Sequence, residues 1–227
     1  MSGTFTDVLP PAVLSRHRDL LVAGPSRETV WPVPSRILAS TVAPDDGLTA
    51  VTTRTAARTM VDRLVRDVPA LARERTGVVD CTPSHDEVRA SPRERYWSVP
   101  SPVDLTGTSM AVHDCMETLG EQGAGDRHLV FDSLSNLLMS TDSETVTRYA
   151  HQLLLLADAT DAMSVFPIYT NVTDGTDFER LKHLFDGMIR VRRRDGTREV
   201  RCVGIAGAAD GWVRLPDVGT APGAEAD

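Results

Sequence analysis

Three positions that follow short apolar segments carry the residue types best suited to chemistry. They are Gly24, Asp80, and Asp132 with the adjacent Ser133. In an open α/β sheet, ligands bind beyond the carboxyl ends of the strands, so these positions are predicted to share one edge. A glycine lets the backbone approach a phosphate closely, and a carboxylate is a ligand that Mg²⁺ prefers. A phosphate or magnesium site is therefore the first hypothesis.

A second group of candidate residues is cationic. Asp195-Gly196, a strong hairpin signal, lies between two runs of alternating residues. Alternation places Ile189, Val191, Val200 and Cys202 on one face and Arg190, Arg192, Arg194, Glu199 and Arg201 on the other. The arginine face is suited to nucleic acid, a nucleotide or an acidic neighbour, but it also fits the solvated face of an exposed hairpin. No aromatic residue interleaves the arginines, which weakens a prediction of base stacking.

The elements that would position these residues alternate between strand and helix. This alternation predicts a mostly parallel sheet covered by helices on both faces, followed by a C-terminal antiparallel hairpin. We expect a flexible N-terminus over residues 1–15, one domain over 16–215 and a disordered acidic tail over 216–227. Ser35 is predicted to cap a short helix over 36–41, because three prolines between 25 and 34 exclude a helix interior there. The predicted strands are 19–24, 47–53, 77–80, 96–99, 128–132, 163–169 and 212–215, and the longest predicted helix is 143–159.

Composition narrows the class of protein. The 227 residues are 41% hydrophobic with a net charge of -8, enough for one buried core and too acidic for non-specific DNA binding by the whole chain. Lys182 is the single lysine, and an arginine-rich acidic chain fits a salt-rich cytoplasm. No apolar run approaches the ~20 residues of a membrane span. The three cysteines have no metal-site spacing, so buried reduced thiols and a cytoplasmic protein are expected.

A family resemblance appears in the segment Leu129-Val130-Phe131-Asp132-Ser133-Leu134-Ser135. It resembles the Walker B segment of the RecA/KaiC-like ATPases. Ser101–Gly107 resembles a segment of their haloarchaeal members, and Phe185-Asp186-Gly187 before the arginine hairpin resembles the closing part of KaiC-type domains. The resemblance covers about residues 17–215. It implies a RecA-like fold, a magnesium role for Asp132, and a hairpin near a subunit interface.

The phosphate-binding loop departs from that family. The pattern Gly-x-x-x-x-Gly-Lys-Ser/Thr needs glycines that turn N–H groups inward and a lysine that reaches the phosphates. Counted from Gly24, Thr29, Val30 and Trp31 occupy the three diagnostic positions. If the phosphate-binding pattern is instead aligned so that its final Ser/Thr is Ser35, a proline stands directly before that position. Arg27 and Arg36 are the cations that could replace the lysine, although both also fit a solvated surface.

The remaining candidates each have two interpretations. The resemblance implies a glutamate near the end of the third strand to activate water, whereas this chain has Asp80 and then Thr82. Asp132 either holds Mg²⁺ through water or caps the following turn at Ser135, and the degraded loop favours the second interpretation.

Three functions follow from these residues. The favoured one is a non-catalytic regulatory or interaction protein that has lost the phosphate-binding loop, needs no cofactor, and binds a protein partner or itself. The first alternative is a divergent ATPase that binds ATP and Mg²⁺ through Gly24, Arg27 or Arg36, Asp132 and Ser133. The second is a DNA-associated factor that acts through the Arg190–Arg201 hairpin. No metal is expected unless Asp132 binds Mg²⁺.

Overall fold

A nine-stranded sheet forms the centre of the computed structural model, which describes residues 5–82 and 95–215. Its strand order is β4-β3-β2-β5-β6-β1-β7-β8-β9. The strands β1 to β7 run parallel to one another, and β8 and β9 add an antiparallel edge next to β7. The strands are β1 Asp19–Gly24, β2 Gly47–Thr52, β3 Thr76–Asp80, β4 Tyr96–Ser98, β5 Arg127–Phe131, β6 Met163–Tyr169, β7 Gly187–Arg194, β8 Thr197–Val203 and β9 Val213–Leu215. The predicted architecture is confirmed.

Helices cover both faces of the sheet. One core contains side chains of the first five helices, and the other contains those of the later four. The helices are α1 Phe5–Val8, α2 Pro11–Leu14, α3 Arg27–Val30, α4 Pro32–Thr41, α5 Ala57–Asp67, α6 Leu105–Glu121, α7 Leu134–Leu138, α8 Ser143–Ala159 and α9 Gly175–Lys182. None of the helices in the described ranges is both long and apolar enough to cross a membrane.

The N-terminal residues 5–8 and 11–14 form α1 and α2, and Val8, Leu9 and Leu14 are buried in the core. One local expectation differs from the structure. Helix α4 begins at Pro32, not after Ser35. Proline is accepted there because the first turn of a helix has no internal acceptors for its N–H groups. The predicted tail, residues 216–227, lies outside the described residues.

The arginine hairpin has the predicted register. Ile189 pairs with Cys202 and Val191 with Val200, so these apolar side chains share a face. Arg198 shares that face and is buried, which the alternation alone did not reveal. It donates from Nε to the carbonyl of Thr29 at 3.0 Å. The hairpin is therefore attached to α3 by a buried guanidinium.

The amino edge of the sheet carries a carboxylate with a raised pKa. Burial is the main cause that raises the pKa of Asp19 to about 6, and the nearby carboxylates of Asp186 and Asp158 add to it. The Ser164 hydroxyl, which donates to Asp19 Oδ1 at 2.6 Å, opposes the shift. Between the unfolded pKa near 3.8 and this value, the folded state binds more protons than the unfolded state. Its stability therefore falls as pH rises through that window.

We expect Asp19→Asn to remove this decline. The variant should gain stability relative to the parent on going from about pH 4 to about pH 7, as measured by urea unfolding at each pH. Asp142→Asn is the control, because the Thr145 backbone N–H lowers the pKa of Asp142 and its titration therefore changes stability mainly below about pH 4, outside this window. A difference between parent and Asp19→Asn that does not change with pH would contradict the prediction.

Candidate functional site

The carboxyl edge of the sheet is where ligands bind in open α/β folds. The chain leaves β1 and β2 toward one face and leaves β5 and β6 toward the other. The connections therefore diverge at two strand pairs, β2 with β5 and β1 with β6. Asp132 follows β5 at the first pair, and Gly24 ends β1 at the second.

The Asp132 carboxylate binds the loop that joins β2 to α5. Its Oδ2 accepts hydrogen bonds from the backbone N–H of Thr53 at 2.9 Å and of Arg54 at 3.2 Å, and lies 3.0 Å from Thr52 Oγ1. Its Oδ1 accepts from Thr53 Oγ1 at 2.8 Å. Both oxygens are thus engaged, and the side chain is only 2% exposed. The Asp132 carboxylate therefore clamps the β2–α5 loop against the end of β5.

Burial shapes the acid–base properties of this site. Burial raises the pKa of Asp132, while the hydrogen bonds from Thr52, Thr53 and Arg54 oppose the shift. Tyr169, at the end of β6, donates its hydroxyl to the Asp132 carbonyl at 3.2 Å. Burial, followed by the nearby Asp132 carboxylate, raises the pKa of Tyr169 to about 12. The phenol therefore stays protonated and remains a donor at neutral pH.

Ser133 and Ser135 stabilise the turn that follows Asp132. Ser133 is the N-cap of α7, and its Oγ accepts from the Ser135 backbone N–H at 3.1 Å. Ser135 Oγ in turn accepts from the Tyr169 backbone N–H at 2.7 Å. The prediction that Asp132 caps this turn is wrong. Ser133 caps the turn, and the Asp132 carboxylate instead binds the β2–α5 loop.

Asp80 stabilises the other end of the same loop. Its Oδ2 accepts from the backbone N–H of Ala57, the first residue of α5, at 2.8 Å. Its Oδ1 accepts from the backbone N–H and the hydroxyl of Thr82, at 2.9 and 2.6 Å. An acceptor at a helix N-terminus satisfies an otherwise unpaired N–H. Two carboxylates, at the ends of the two strands that flank β2, therefore fix the β2–α5 loop at both ends.

Gly24 is required by close packing. A Cβ at this position would lie 2.7 Å from the Val191 carbonyl oxygen of β7 and 2.8 Å from a methyl of Val30 in α3. The next residue, Pro25, has no N–H, and the one-turn helix α3 begins at Arg27. This short connection lacks the run of glycine N–H groups that cradles phosphates in a phosphate-binding loop.

A cationic surface lies beside the clamped loop, and we call Arg27, Arg54 and Arg63 the carboxyl-edge arginines. Arg27 donates to Thr55 Oγ1 at 2.7 Å and lies 5.8 Å from the ring centroid of Trp31. Arg63 lies 5.5 Å from the same ring. Burial, then repulsion from Arg27, lowers the pKa of Arg63. In the described ranges, no carboxylate forms an ion pair with these arginines.

Arg36, the second substitute for the missing lysine, lies within α4 and is half-buried. The hydrogen bonds of the Asp132 carboxylate come from Thr52, Thr53 and Arg54. Arg36 is therefore not among the donors to the Asp132 carboxylate. Arg27, by contrast, binds the loop next to Asp132 through the hydroxyl of Thr55.

The hairpin arginines do not form one free cationic face. Arg192 binds Glu199 at 2.7 Å and lies 3.9 Å from the ring centroid of Trp212. Arg194 lies 3.8 Å from the carboxylate of Asp195. Arg190 and Arg201 are exposed opposite each other. Part of the charge is thus neutralised, which weakens the hairpin as a nucleic-acid surface.

These residues do not fit Mg²⁺–ATP in the family's usual manner. The Asp132 oxygens are engaged, the lysine position holds Val30, and Thr82 follows Asp80 where the resemblance implies a glutamate. Within residues 5–82 and 95–215, no three His, Cys, Asp or Glu side chains converge into a metal site. Cys81, Cys115 and Cys202 are free, and burial raises the pKa of Cys81 to about 12.

Sequence reasoning missed the residues that complete this edge. The clamp depends on Thr52, Thr53 and Thr55, and the cationic surface on Arg54 and Arg63. One signal was available, since Thr52-Thr53-Arg54-Thr55 is a polar run directly after a β-branched strand.

Comparisons with known proteins support the fold and leave the chemistry open. The model of a family of unknown function, DUF7504, matches residues 18–191. No curated protein matches the sequence. An uncharacterized protein from Pyrococcus horikoshii, solved in complex with an unknown peptide, has a similar structure with a TM-score of 0.62. The two are 15% identical, and the match covers 84% of this chain and 88% of that one.

Proposed function

Because the chain belongs to the DUF7504 family, whose function is unknown, we propose its function from the geometry of the carboxyl edge. It is a non-catalytic interaction or regulatory protein of RecA/KaiC-like type that has lost the phosphate-binding loop. The observation that carries this proposal is the Asp132 carboxylate, both of whose oxygens accept hydrogen bonds from the β2–α5 loop. A carboxylate used in this way supports loop structure instead of magnesium chemistry.

The carboxyl-edge arginines support the kind of partner. Arg27 and Arg63 flank Trp31 without a carboxylate partner in the described ranges, so an acidic segment of another protein would complete their pairing. The Pyrococcus protein was solved with a bound peptide, which is a property of that protein. Because the folds are alike, it supports a peptide-binding role for the present chain. We infer that the partner, a different protein or a second copy, presents acidic residues to this edge.

Calorimetry with nucleotides tests the loss of the ancestral site. We expect no heat and no thermal stabilisation from millimolar Mg²⁺–ATP or ADP, in low and in molar KCl, because Asp132 and the β1–α3 connection offer no phosphate or metal ligand. Micromolar binding that disappears in Asp132→Asn and in Arg27→Gln would overturn the proposal. The divergent ATPase would then be the better interpretation.

Charged peptides test the partner class. Acidic, neutral and basic peptides of equal length are titrated, and the acidic one should bind best and lose affinity with salt. The double variant Arg27→Gln with Arg63→Gln should bind the acidic peptide about tenfold more weakly, because charge-assisted hydrogen bonds are lost. Arg148→Gln with Arg180→Gln, on exposed positions of α8 and α9, is the matched control. Equal affinity for acidic and basic peptides would exclude the acidic partner.

A further inference from the structure

The last described strand ends at the carboxyl edge of the sheet. Strand β9 runs antiparallel to β8, which itself runs antiparallel to β7, so β9 points in the same direction as the parallel strands. Its last residue, Leu215, is fully buried in the core that also contains the side chains of α3. The chain therefore leaves β9 at the same edge as the Asp132 carboxylate and the carboxyl-edge arginines.

The point at which the chain leaves β9 is next to α3. The partner of Leu215 on the neighbouring strand β8 is Arg198. The Arg198 guanidinium donates to the carbonyl oxygens of Thr29, at 3.0 Å, and of Glu28, at 3.2 Å. Both carbonyls belong to α3, whose first residue is Arg27. Leu215 thus lies one strand spacing (~4.8 Å) from a residue that is hydrogen-bonded to α3.

The sequence after Leu215 is acidic and long enough to reach the arginines. Residues 216–227 lie outside the described ranges and contain three acidic residues and no basic one, namely Asp217, Glu225 and Asp227. The ten residues from Leu215 to Glu225 span up to ~33 Å when extended. The three strand spacings from β9 to β1, which α3 follows, amount to only ~14 Å. The later acidic residues are therefore within reach of α3 and of the loop beside it.

The carboxyl-edge arginines lack the charges that this segment carries. Arg27 and Arg63 are half-buried against the ring of Trp31, and Arg54 is exposed in the clamped loop. Burial, and then repulsion from Arg27, lowers the pKa of Arg63, which shows that the positive charges are close together. Across residues 5–82 and 95–215, none of these arginines forms an ion pair with a carboxylate. Acidic side chains would relieve the repulsion through charge-assisted hydrogen bonds.

We propose that the acidic segment, residues 216–227 of the same chain, binds the carboxyl-edge arginines and competes there with the acidic partner. This inference rests on the proposed function, because it assigns a second ligand to the same surface. Asp217 is only two residues from the end of β9 and pairs with Arg27, and the two later acids extend toward α5. A ligand attached to the same chain acts at an effective concentration of about 1 mM, so weak contacts are sufficient. The acidic segment therefore sets the affinity that a partner must exceed.

Neutralising the acidic segment tests the competition. The variant with Asp217→Asn, Glu225→Gln and Asp227→Asn should bind the acidic peptide of the partner test about fivefold more tightly than the parent, because an intramolecular competitor is removed. The gain should shrink as KCl is added, since salt screens the contacts of both ligands. Equal affinity of parent and variant at low salt would overturn the inference and leave the proposed function standing. Absence of acidic-peptide binding to both proteins would overturn the proposed function, and this inference with it.

A matched variant controls for net charge. Asp45→Asn, Glu121→Gln and Asp158→Asn remove the same number of negative charges from exposed positions that precede strands at the amino edge. These positions are far from the carboxyl edge, so the affinity for the acidic peptide should change by less than about twofold. A gain as large as that of the first variant would overturn the inference, because the loss of net negative charge would then explain it.

A double-mutant cycle locates the contact. In protein that carries Arg27→Gln and Arg63→Gln, neutralising the acidic segment should tighten peptide binding by less than about twofold, because the surface for which the segment competes is lost. The NMR amide resonances of residues 216–227 should shift between the parent and Arg27→Gln with Arg63→Gln, and they should not change when the parent is diluted. A full gain in the arginine variant would place the segment elsewhere, and resonances that change on dilution would assign the contact to a second copy. Either result overturns the proposal.

Discussion

Replacing Asp132 by Ala lowers the free energy of unfolding by about 3 kcal/mol, because it leaves buried hydrogen-bond donors without an acceptor. The donors are the backbone N–H groups of Thr53 and Arg54 and the hydroxyl of Thr53, whereas the Thr52 hydroxyl keeps the Thr55 carbonyl as an acceptor at 2.7 Å. Urea unfolding measures the loss, and hydrogen exchange should show faster exchange of the Thr53 and Arg54 amides. This is the largest effect that we expect at the candidate site.

A second carboxylate provides the control for Asp132→Ala. Asp142 accepts one backbone N–H, from Thr145 at 2.8 Å, as the exposed N-cap of α8. Asp142→Ala should cost clearly less than Asp132→Ala, because it removes one exposed capping hydrogen bond. If Asp132→Ala costs no more than Asp142→Ala, the carboxylate does not hold the β2–α5 loop. A ligand-binding role for Asp132 would then be the better interpretation.

Replacing Gly24 by Ala destabilises the protein by about 2 kcal/mol, because the added methyl collides with backbone that cannot move aside. The Val191 carbonyl oxygen would be 2.7 Å from the new Cβ and belongs to a strand paired with β1. The loss should be seen in urea unfolding with or without nucleotide. Truncating the second neighbour, in Gly24→Ala with Val30→Ala, should not restore stability.

The control for Gly24→Ala is Gly175→Ala. Gly175 is the first residue of α9, and a Cβ there meets nothing within 4 Å. The change should alter stability by no more than about 0.5 kcal/mol. If Gly24→Ala is as mild as Gly175→Ala, then packing does not explain this glycine. Its place at the end of β1 would again suggest backbone approach by a ligand.

Gly24 and Asp132 are residues whose types suggested chemistry in the sequence, and the structure gives both of them a structural role. Gly24 and Asp132 were selected because glycine and aspartate at strand ends are typical of phosphate and magnesium sites. The same residue types also solve local problems of packing and hydrogen bonding. The sequence shows the residue type and its place on a strand, but it does not show which atoms are already engaged.

The sequence by itself determined the architecture, because its signals are local. Apolar segments separated by helical patterns predicted the parallel strands, and Asp195-Gly196 predicted the β7–β8 hairpin and its register. The 143–159 helix was predicted with its observed ends. Period, turn residues and helix caps act over a few residues, so they can be read without knowing the fold.

Only the tertiary structure decided what the candidate residues do. Asp132 and Thr53 are 79 positions apart, and Arg198 lies 169 positions from the carbonyl of Thr29 to which it donates. Whether a polar atom is free or engaged depends on the neighbours that folding brings to it, and those neighbours leave no periodic pattern in the chain.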